Sequence, residues 1–258
     1  MVVNSAPFLD HNPSCGPETA PFLFQAGETA CLLIHGFTGT PWALRELAEH
    51  LAEGGITASA PLLPGHGTSP EDLQKTKWKS WVDTARQEFD RLRKRQSSMF
   101  VLGHSMGGSI ALWLAAERKI DGIITLAAPV SLPGIQMAAI PLIRPFVAFR
   151  KKRRFSEKSW KEQIGYDRYP LDSVLELGKF LKVLRKRLSD VKCPILIVHG
   201  SKDRRIQVKN AERIFSEVGS AEKRKIVLDD PNHMITLGAG REKVIGETVE
   251  FIRRYRAK

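Results

Sequence analysis

Residues 99–108 read MFVLGHSMGG and run directly into SIALWLAAERK. An apolar stretch with the character of a buried strand ends in Gly-His-Ser-Met-Gly, and good helix formers follow at once. G-x-S-x-G between a strand and a helix predicts a sharp elbow that lifts the hydroxyl of Ser105 clear of a sheet. The glycines flank the serine because a Cβ at either position would clash within so tight a turn. The hydroxyl then sits at a helix N-terminus, where free N–H groups and the helix dipole favour developing negative charge. In 258 residues of ordinary composition the five-residue pattern arises by chance roughly one time in ten. The flanking strand and helix, rather than the pattern alone, therefore carry the reading of Ser105 as a nucleophile.

The rest of the chain supplies a sheet for such an elbow. Short apolar runs at 30–35, 56–60, 99–103, 122–127, 194–199 and 224–228 alternate with amphipathic helical stretches at 41–53, 78–95, 105–117, 208–218 and 241–256. This rhythm predicts an α/β protein with a mostly parallel central sheet flanked by helices. Runs such as Ile-Ile-Thr-Leu and Ile-Leu-Ile-Val are apolar on both sides, as strands covered on two faces require. Residues 21–25 carry a weaker signal, read as an edge hairpin. Between residues 129 and 191 the alternation stops, and the expectation is a small helical cap inserted in the catalytic domain formed by 1–128 and 192–258.

Residues 32–40, LLIHGFTGT, again end an apolar strand. An oxyanion hole on this architecture takes one backbone N–H from the loop after an early strand and another from the residue after the nucleophile. Those positions are Phe37 and Met106, whose side chains are then free to shape an acyl pocket. Gly36 and Gly39 allow the loop to come close to a substrate.

The chain order expected after the nucleophile is an acid and then a histidine, each beyond the C-terminal end of a strand. Only His199 and His233 follow Ser105. His199 lies within PILIVHG and reads as structural, whereas His233 in LDDPNHMITL lies between the last strand and the last helix and is the expected base. Asp203, in HGSKDRRI, is the expected acid. Asp229 and Asp230 are rivals that more naturally shape the His233 loop, and Asp190 precedes its strand at the wrong end of the sheet. His35, Gly36, His66 and His104 are further candidates for lining the site; for His66, in PGHG, a loop histidine held in a Gly-rich turn is the favoured reading. No metal or cofactor is required by this chemistry.

HGFTGT, PLLPGHGTSPEDL, GHSMGGSIALWLA, GIITLAAP, HGSKDRRI and NHMITLGAGREKVIGETVEFI together resemble the bacterial carboxylesterase and monoacylglycerol lipase family of the α/β-hydrolase superfamily. The resemblance covers most of the chain from about residue 30 onward and is least in the cap. It implies the α/β-hydrolase fold and a small lipolytic esterase, with Ser105, Asp203 and His233 as triad and Phe37 with Met106 at the oxyanion hole. It leaves acyl length, and glycerides against simple esters, open. Three functions stay in view: a serine esterase cleaving short- to medium-chain acyl esters or monoacylglycerol; an acyltransferase or thioesterase using the same triad; and a non-catalytic lipid-binding module on a hydrolase scaffold.

Charge is concentrated in the cap. The chain carries 40 Lys plus Arg against 28 Asp plus Glu, a net +12, and residues 130–190 hold 14 of the basic and 6 of the acidic residues. The apolar stretch LPGIQMAAIPLIRPFVAF (132–149) precedes RKKRR, but its three prolines and Arg144 argue against a spanning helix. In VLELGKFLKVLRKRL, Val174, Leu177, Leu181, Leu184 and Leu188 form one stripe opposite a basic face. Both stripes are expected either to pack on the catalytic domain or to dock as an apolar lid with a basic collar on anionic membrane. No nucleic-acid recognition motif accompanies the charge, so none is expected as a partner. Oligomeric state is left open. The N-terminus lacks the pattern of a signal peptide, and three cysteines without metal-like spacing read as reduced thiols, which together predict a cytoplasmic enzyme.

Overall fold

A computed structural model of the chain describes residues 3–4, 19–152, 165–230 and 232–256. Cys15, most of the N-terminal segment read for targeting, and Arg153 and Arg154 of the basic run lie outside the described residues. Ten strands occur among the described residues: β1 (Val3–Asn4), β2 (Phe22–Phe24), β3 (Thr29–Ile34), β4 (Ile56–Ala60), β5 (Ser98–His104), β6 (Gly122–Leu126), β7 (Phe149–Lys151), β8 (Arg168–Pro170), β9 (Ile195–Gly200) and β10 (Lys223–Leu228). Eight of them form one sheet in the order β1-β2-β4-β3-β5-β6-β9-β10. The pairs from β4 across to β10 are parallel, and only β1 and β2 at one edge run antiparallel. The weak signal at 21–25 is thus β2, paired to β4 on one side.

Alternation along the central strands explains why both faces are covered. Leu32 and Ile34 of β3 and Val101 of β5 belong to one buried cluster, while Cys31, Leu33, Phe100 and Leu102 belong to the other. Successive side chains point to opposite faces, so an all-apolar strand requires helices on both sides. The first face is covered by α3 (Trp78–Arg93) and α4 (Met106–Ala115), joined by α6 (Leu171–Arg185) and α7 (Lys209–Glu217); the second by α1 (Arg45–Glu53) and α8 (Arg241–Tyr255). The short helix α2 (Pro70–Lys75), capped by Ser69 Oγ accepting from the Asp72 amide over 3.1 Å, was not expected from the sequence. Six residues with one buried leucine carry too little periodicity to be seen.

The inserted segment corrects the expectation of an all-helical cap. It contains α5 (Gly134–Ile143) and α6, but between them β7 and β8 form a separate antiparallel ribbon. The stripe on α6 is core: Leu177, Leu181 and Leu184, with Leu188 beyond, are buried in the first cluster, while Lys179, Lys182, Arg185 and Lys186 face solvent. The end of α5 is different, with Leu142 75% and Phe146 88% exposed. Cys31 is fully buried and Cys193 partly so; burial pushes the Cys193 thiol up to about 12 and Cys31 higher still, as expected of unreactive reduced thiols.

Candidate active site

Because β3, β5, β9 and β10 are parallel, the loops that leave them meet along one edge of the sheet. Ser105 follows β5 at once. It adopts φ 52° and ψ −122°, and its amide donates to the Leu126 carbonyl of the neighbouring strand over 2.7 Å. Positive φ on a non-glycine residue is strained, and the surrounding glycines hold it in place. A Cβ on Gly103 would overlap the Gly107 carbonyl, and one on Gly107 would overlap the carbonyl of Ile34. The elbow therefore exists only because strand, turn and helix touch backbone to backbone.

The structure brings Ser105, His233 and Asp203 into one line. The Ser105 hydroxyl is 3.0 Å from His233 Nε2, and His233 Nδ1 is 2.7 Å from Asp203 Oδ2. Asp203 Oδ1 accepts from the amides of Arg205 (2.8 Å) and Ile206 (3.0 Å). Burial by itself raises the pKa of the Asp203 carboxyl, but the hydrogen bond and charge of His233, with the two amides, outweigh it and hold the group below the usual carboxylate range. A carboxylate so held fixes the imidazole with its proton on Nδ1 and its Nε2 lone pair toward Ser105. The rivals fall elsewhere. Asp230 accepts from the amides of Asn232 and Gly240 and so shapes the His233 loop, Asp229 pairs with Lys202, and Asp190 is exposed beside Arg187.

The loop after β3 lies against the elbow. A Cβ on Gly36 would come within 3.2 Å of Ser105 Cβ, so the loop that carries Phe37 passes close to Ser105. Met106 opens α4, whose first amides have no carbonyl one turn back. Its side chain is fully buried in the core, which corrects the expectation that it helps shape an acyl pocket; Met234 takes a place in the lining instead. Thr38 has φ 61°, and its carbonyl accepts from the Tyr166 amide over 3.0 Å, so the inserted segment is fastened to this loop.

The candidate histidines divide. His104 and Gly36 line the cavity above Ser105, whereas His35 and His66 do not. His35 is a staple: the Leu63 amide donates to its Nε2 over 3.0 Å, so Nδ1 carries the proton and donates to the Gly36 carbonyl over 3.0 Å. Burial pushes its pKa down to about 4. His66 packs edge-on against His35 with centroids 4.9 Å apart and donates from Nδ1 to Pro64; burial, then the neighbouring His35, lowers its pKa well below the ordinary value. His104 donates from Nε2 to the His233 carbonyl over 3.0 Å, and burial, then the proximity of His233, pushes its pKa to about 3. His199 donates to the Ile206 carbonyl over 2.8 Å, a structural place as expected.

Sequence reasoning missed two contributors. Asn210 sits on α7, and its side-chain oxygen accepts from the amides of Val130 and Ser131, both over 2.9 Å, which pins the point where the inserted segment leaves β6. Tyr169 of β8 stacks on Phe37 with ring centroids 6.0 Å apart and planes 5° from parallel. Both are tertiary contacts without a local pattern. The whole encloses a cavity of about 580 Å³ lined by Ser105 and His233, by apolar side chains of α5 and α6, and by basic residues of β7 and the 204–205 loop. No His, Cys, Asp and Glu group among the described residues is arranged to hold a metal ion.

A family model described as Serine aminopeptidase, S33 matches residues 25–238. The chain is 32% identical over 241 residues to a thermostable monoacylglycerol lipase of Bacillus sp. (strain H-257), covering 91% of this chain and 94% of that one. It is 28% identical over 238 residues to a carboxylesterase of Bacillus subtilis (strain 168), covering 91% and 96%. A solved structure from work on LipS and LipT, two metagenome-derived lipolytic enzymes, superposes with a TM-score of 0.86 at 27% identity, covering 92% of this chain and 98% of that one.

Proposed function

The chain belongs to the serine aminopeptidase S33 family and has the α/β-hydrolase fold, and on that premise we propose that it hydrolyses short- to medium-chain acyl esters, monoacylglycerols among them, through an acyl-enzyme on Ser105. The enzyme is a serine carboxylic-ester hydrolase by its kinship with a carboxylesterase and a monoacylglycerol lipase. The observation that carries the proposal is the Asp203–His233–Ser105 line at 2.7 and 3.0 Å beneath a cavity partly lined by apolar side chains of α5 and α6.

The chemistry follows from those contacts. His233 Nε2 takes the proton of Ser105 as its oxygen attacks the ester carbonyl, and Asp203 stabilises the imidazolium that forms. The amides of Phe37 and Met106 receive the oxyanion, each worth about 3 kcal/mol in a well-formed site. His233 then protonates the leaving alcohol, and a water activated by the same imidazole releases the acid. Peptide substrates with a free amino terminus suit the cavity poorly. Its described lining contains no carboxylate to receive an α-ammonium, and five of its residues are cationic. A volume of about 580 Å³ is within the range of sites that enclose a small ligand, in keeping with chains of modest length.

The end of α5 supports a further part of the reading, that the inserted segment meets anionic lipid surfaces. Leu142, Ile143, Phe146 and Val147 are exposed together, followed by exposed Arg150 and Lys151, an apolar tip with a basic collar. Among the described residues no helix is long and apolar enough to cross a membrane. Binding to anionic vesicles, absent with neutral ones and reversed by salt, is expected; binding that ignores lipid charge would remove this part.

The central test compares hydrolysis of a medium-chain monoacylglycerol by the wild-type protein and by Ser105→Ala. Turnover that collapses in the variant, with loss of fluorophosphonate labelling, is expected. A folded wild-type protein that neither turns over the ester nor labels would overturn the proposal.

A further inference from the structure

Two chemically different groups of residues line the cavity. Met137 and Ile140 of α5 with Leu171, Val174 and Leu177 of α6 form an apolar side. Arg150, Lys151 and Lys152, of β7 and the residue after it, form a basic side with Arg204 and Arg205. Nearby cations outside the cavity have carboxylate partners: Arg144 pairs with Asp172, Arg168 with Glu71 and Lys202 with Asp229. The five cavity cations have none within ion-pair distance among the described residues.

Lys152 is the most confined of the five. Its ammonium lies over the Tyr169 ring, 5.0 Å from the centroid, and Tyr169 in turn stacks on Phe37. Loss of water, then the charge of Arg205, pushes its pKa down to about 7, and Asp167 opposes this only from beyond ion-pair reach. A cation held away from water costs free energy when no anion is beside it. Lys152, with the charge of Arg205 close by and no carboxylate within ion-pair distance among the described residues, therefore favours an anion in the cavity. Arg205 lies on the base side of the site, because its own amide holds Asp203 and Asp203 holds His233. On the esterase reading the leaving alcohol takes its proton from His233, which sets Arg205 toward the alcohol half of an ester and leaves the apolar side chains of α5 and α6 for the acyl half.

We propose that the enzyme prefers esters whose alcohol portion carries a phosphate or carboxylate, held by Lys152 and Arg205 opposite an acyl chain lying along α5 and α6. This rests on the esterase reading above and specifies its substrate class. Lys152 and Arg205 are specificity residues for the alcohol half, with the rim cations Arg150, Lys151 and Arg204 contributing longer-range attraction.

The experiment measures kcat/KM for octanoylglycerol and for octanoylglycerol phosphate, both as monomers, and follows their ratio. The wild-type ratio is expected to favour the phosphate by about tenfold or more, as charge-assisted contacts of this kind would give. Lys152→Met and Arg205→Met should each lower the ratio by about tenfold, while Lys182→Met and Arg185→Met on the exposed face of α6 should leave it unmoved. Equal falls in the α6 variants would show general steering by net charge and overturn the proposal. A wild-type ratio near one with brisk, Ser105-dependent turnover of the neutral ester would also overturn it, and would leave the esterase reading standing. Turnover of neither ester would end both. Succinyl monoesters in place of the phosphate distinguish a requirement for phosphate from one for any anion.

Discussion

The imidazole of His104, the residue before the nucleophile, donates from Nε2 to the main-chain carbonyl of His233 over 3.0 Å. The strand that presents Ser105 thereby also braces the loop that presents its base. With Ser105 and His233 as nucleophile and base, the bond to the His233 carbonyl makes His104 a positioning residue. In His104→Phe the carbonyl loses its donor, and kcat should fall about tenfold, the equivalent of one hydrogen bond. KM should hardly move. A parallel change in KM and kcat, or a wild-type kcat, would show that the contact is merely structural.

Asp203→Asn keeps one oxygen for the Arg205 and Ile206 amides but turns an amide donor toward His233 Nδ1. The imidazole is then driven to the wrong tautomer, with its proton on Nε2 facing Ser105. We expect kcat to drop by roughly three to four orders of magnitude with the melting temperature little changed. Activity within tenfold of wild type would reassign the acid.

Acid should destabilise the protein before its carboxylates titrate. His35 and His104 are held neutral, with burial pushing them down to about 4 and about 3. An unfolded chain takes up those protons from about pH 6.5 downward. The stability gained from keeping them neutral is therefore complete above about pH 6.5 and is lost as pH falls toward the folded values. The depressed carboxyl of Asp203 works in the same direction at lower pH. Thermal melts should show a decline between about pH 7 and pH 5; a flat profile there would contradict the neutral assignments.

Asn210 supplies one oxygen to two main-chain amides, those of Val130 and Ser131. Asn210→Ala strands both near the base of the inserted segment. The expected cost is about 1–3 kcal/mol, read as a fall of several degrees in melting temperature, and Asn210→Asp should recover most of it. An alanine variant as stable as wild type would show that the two amides find other acceptors.

Lys152→Met offers a complementary check. A cation whose pKa is lowered by burial opposes folding while it is charged in the unfolded chain, so its removal should raise the melting temperature by a few degrees at neutral pH. No rise would mean that the ammonium is better solvated than its place over Tyr169 implies.

Much of this site was legible in the sequence because chemistry and packing coincide there. The central strands β3, β5, β6 and β9 are buried on both faces, and Ser105, Asp203 and His233 follow β5, β9 and the edge strand β10 by only a few residues. What escaped lacks a local signature. A ribbon of two three-residue strands carrying Arg150, Lys151 and Arg168 has no alternation long enough to detect. The sequence leaves the side chain of Met106 free to shape the pocket, whereas the helix it opens turns it into the core. His35 reads as a site residue from its neighbours Gly36 and Phe37, and its true partner, the Leu63 amide, is 28 residues away. The clamp by Asn210 joins residues 80 apart, a relation no periodicity encodes.

The bond from the Tyr166 amide to the Thr38 carbonyl ties the inserted segment to the loop after β3. Gly165 sits so close to that carbonyl that a Cβ there would overlap it, leaving no slack between the two segments. A displacement of Tyr166 relative to Thr38 has to break this bond or carry the loop after β3 with it. The inserted segment and the loop that lies against Ser105 are thus one mechanical unit, and a change in either is felt by the other.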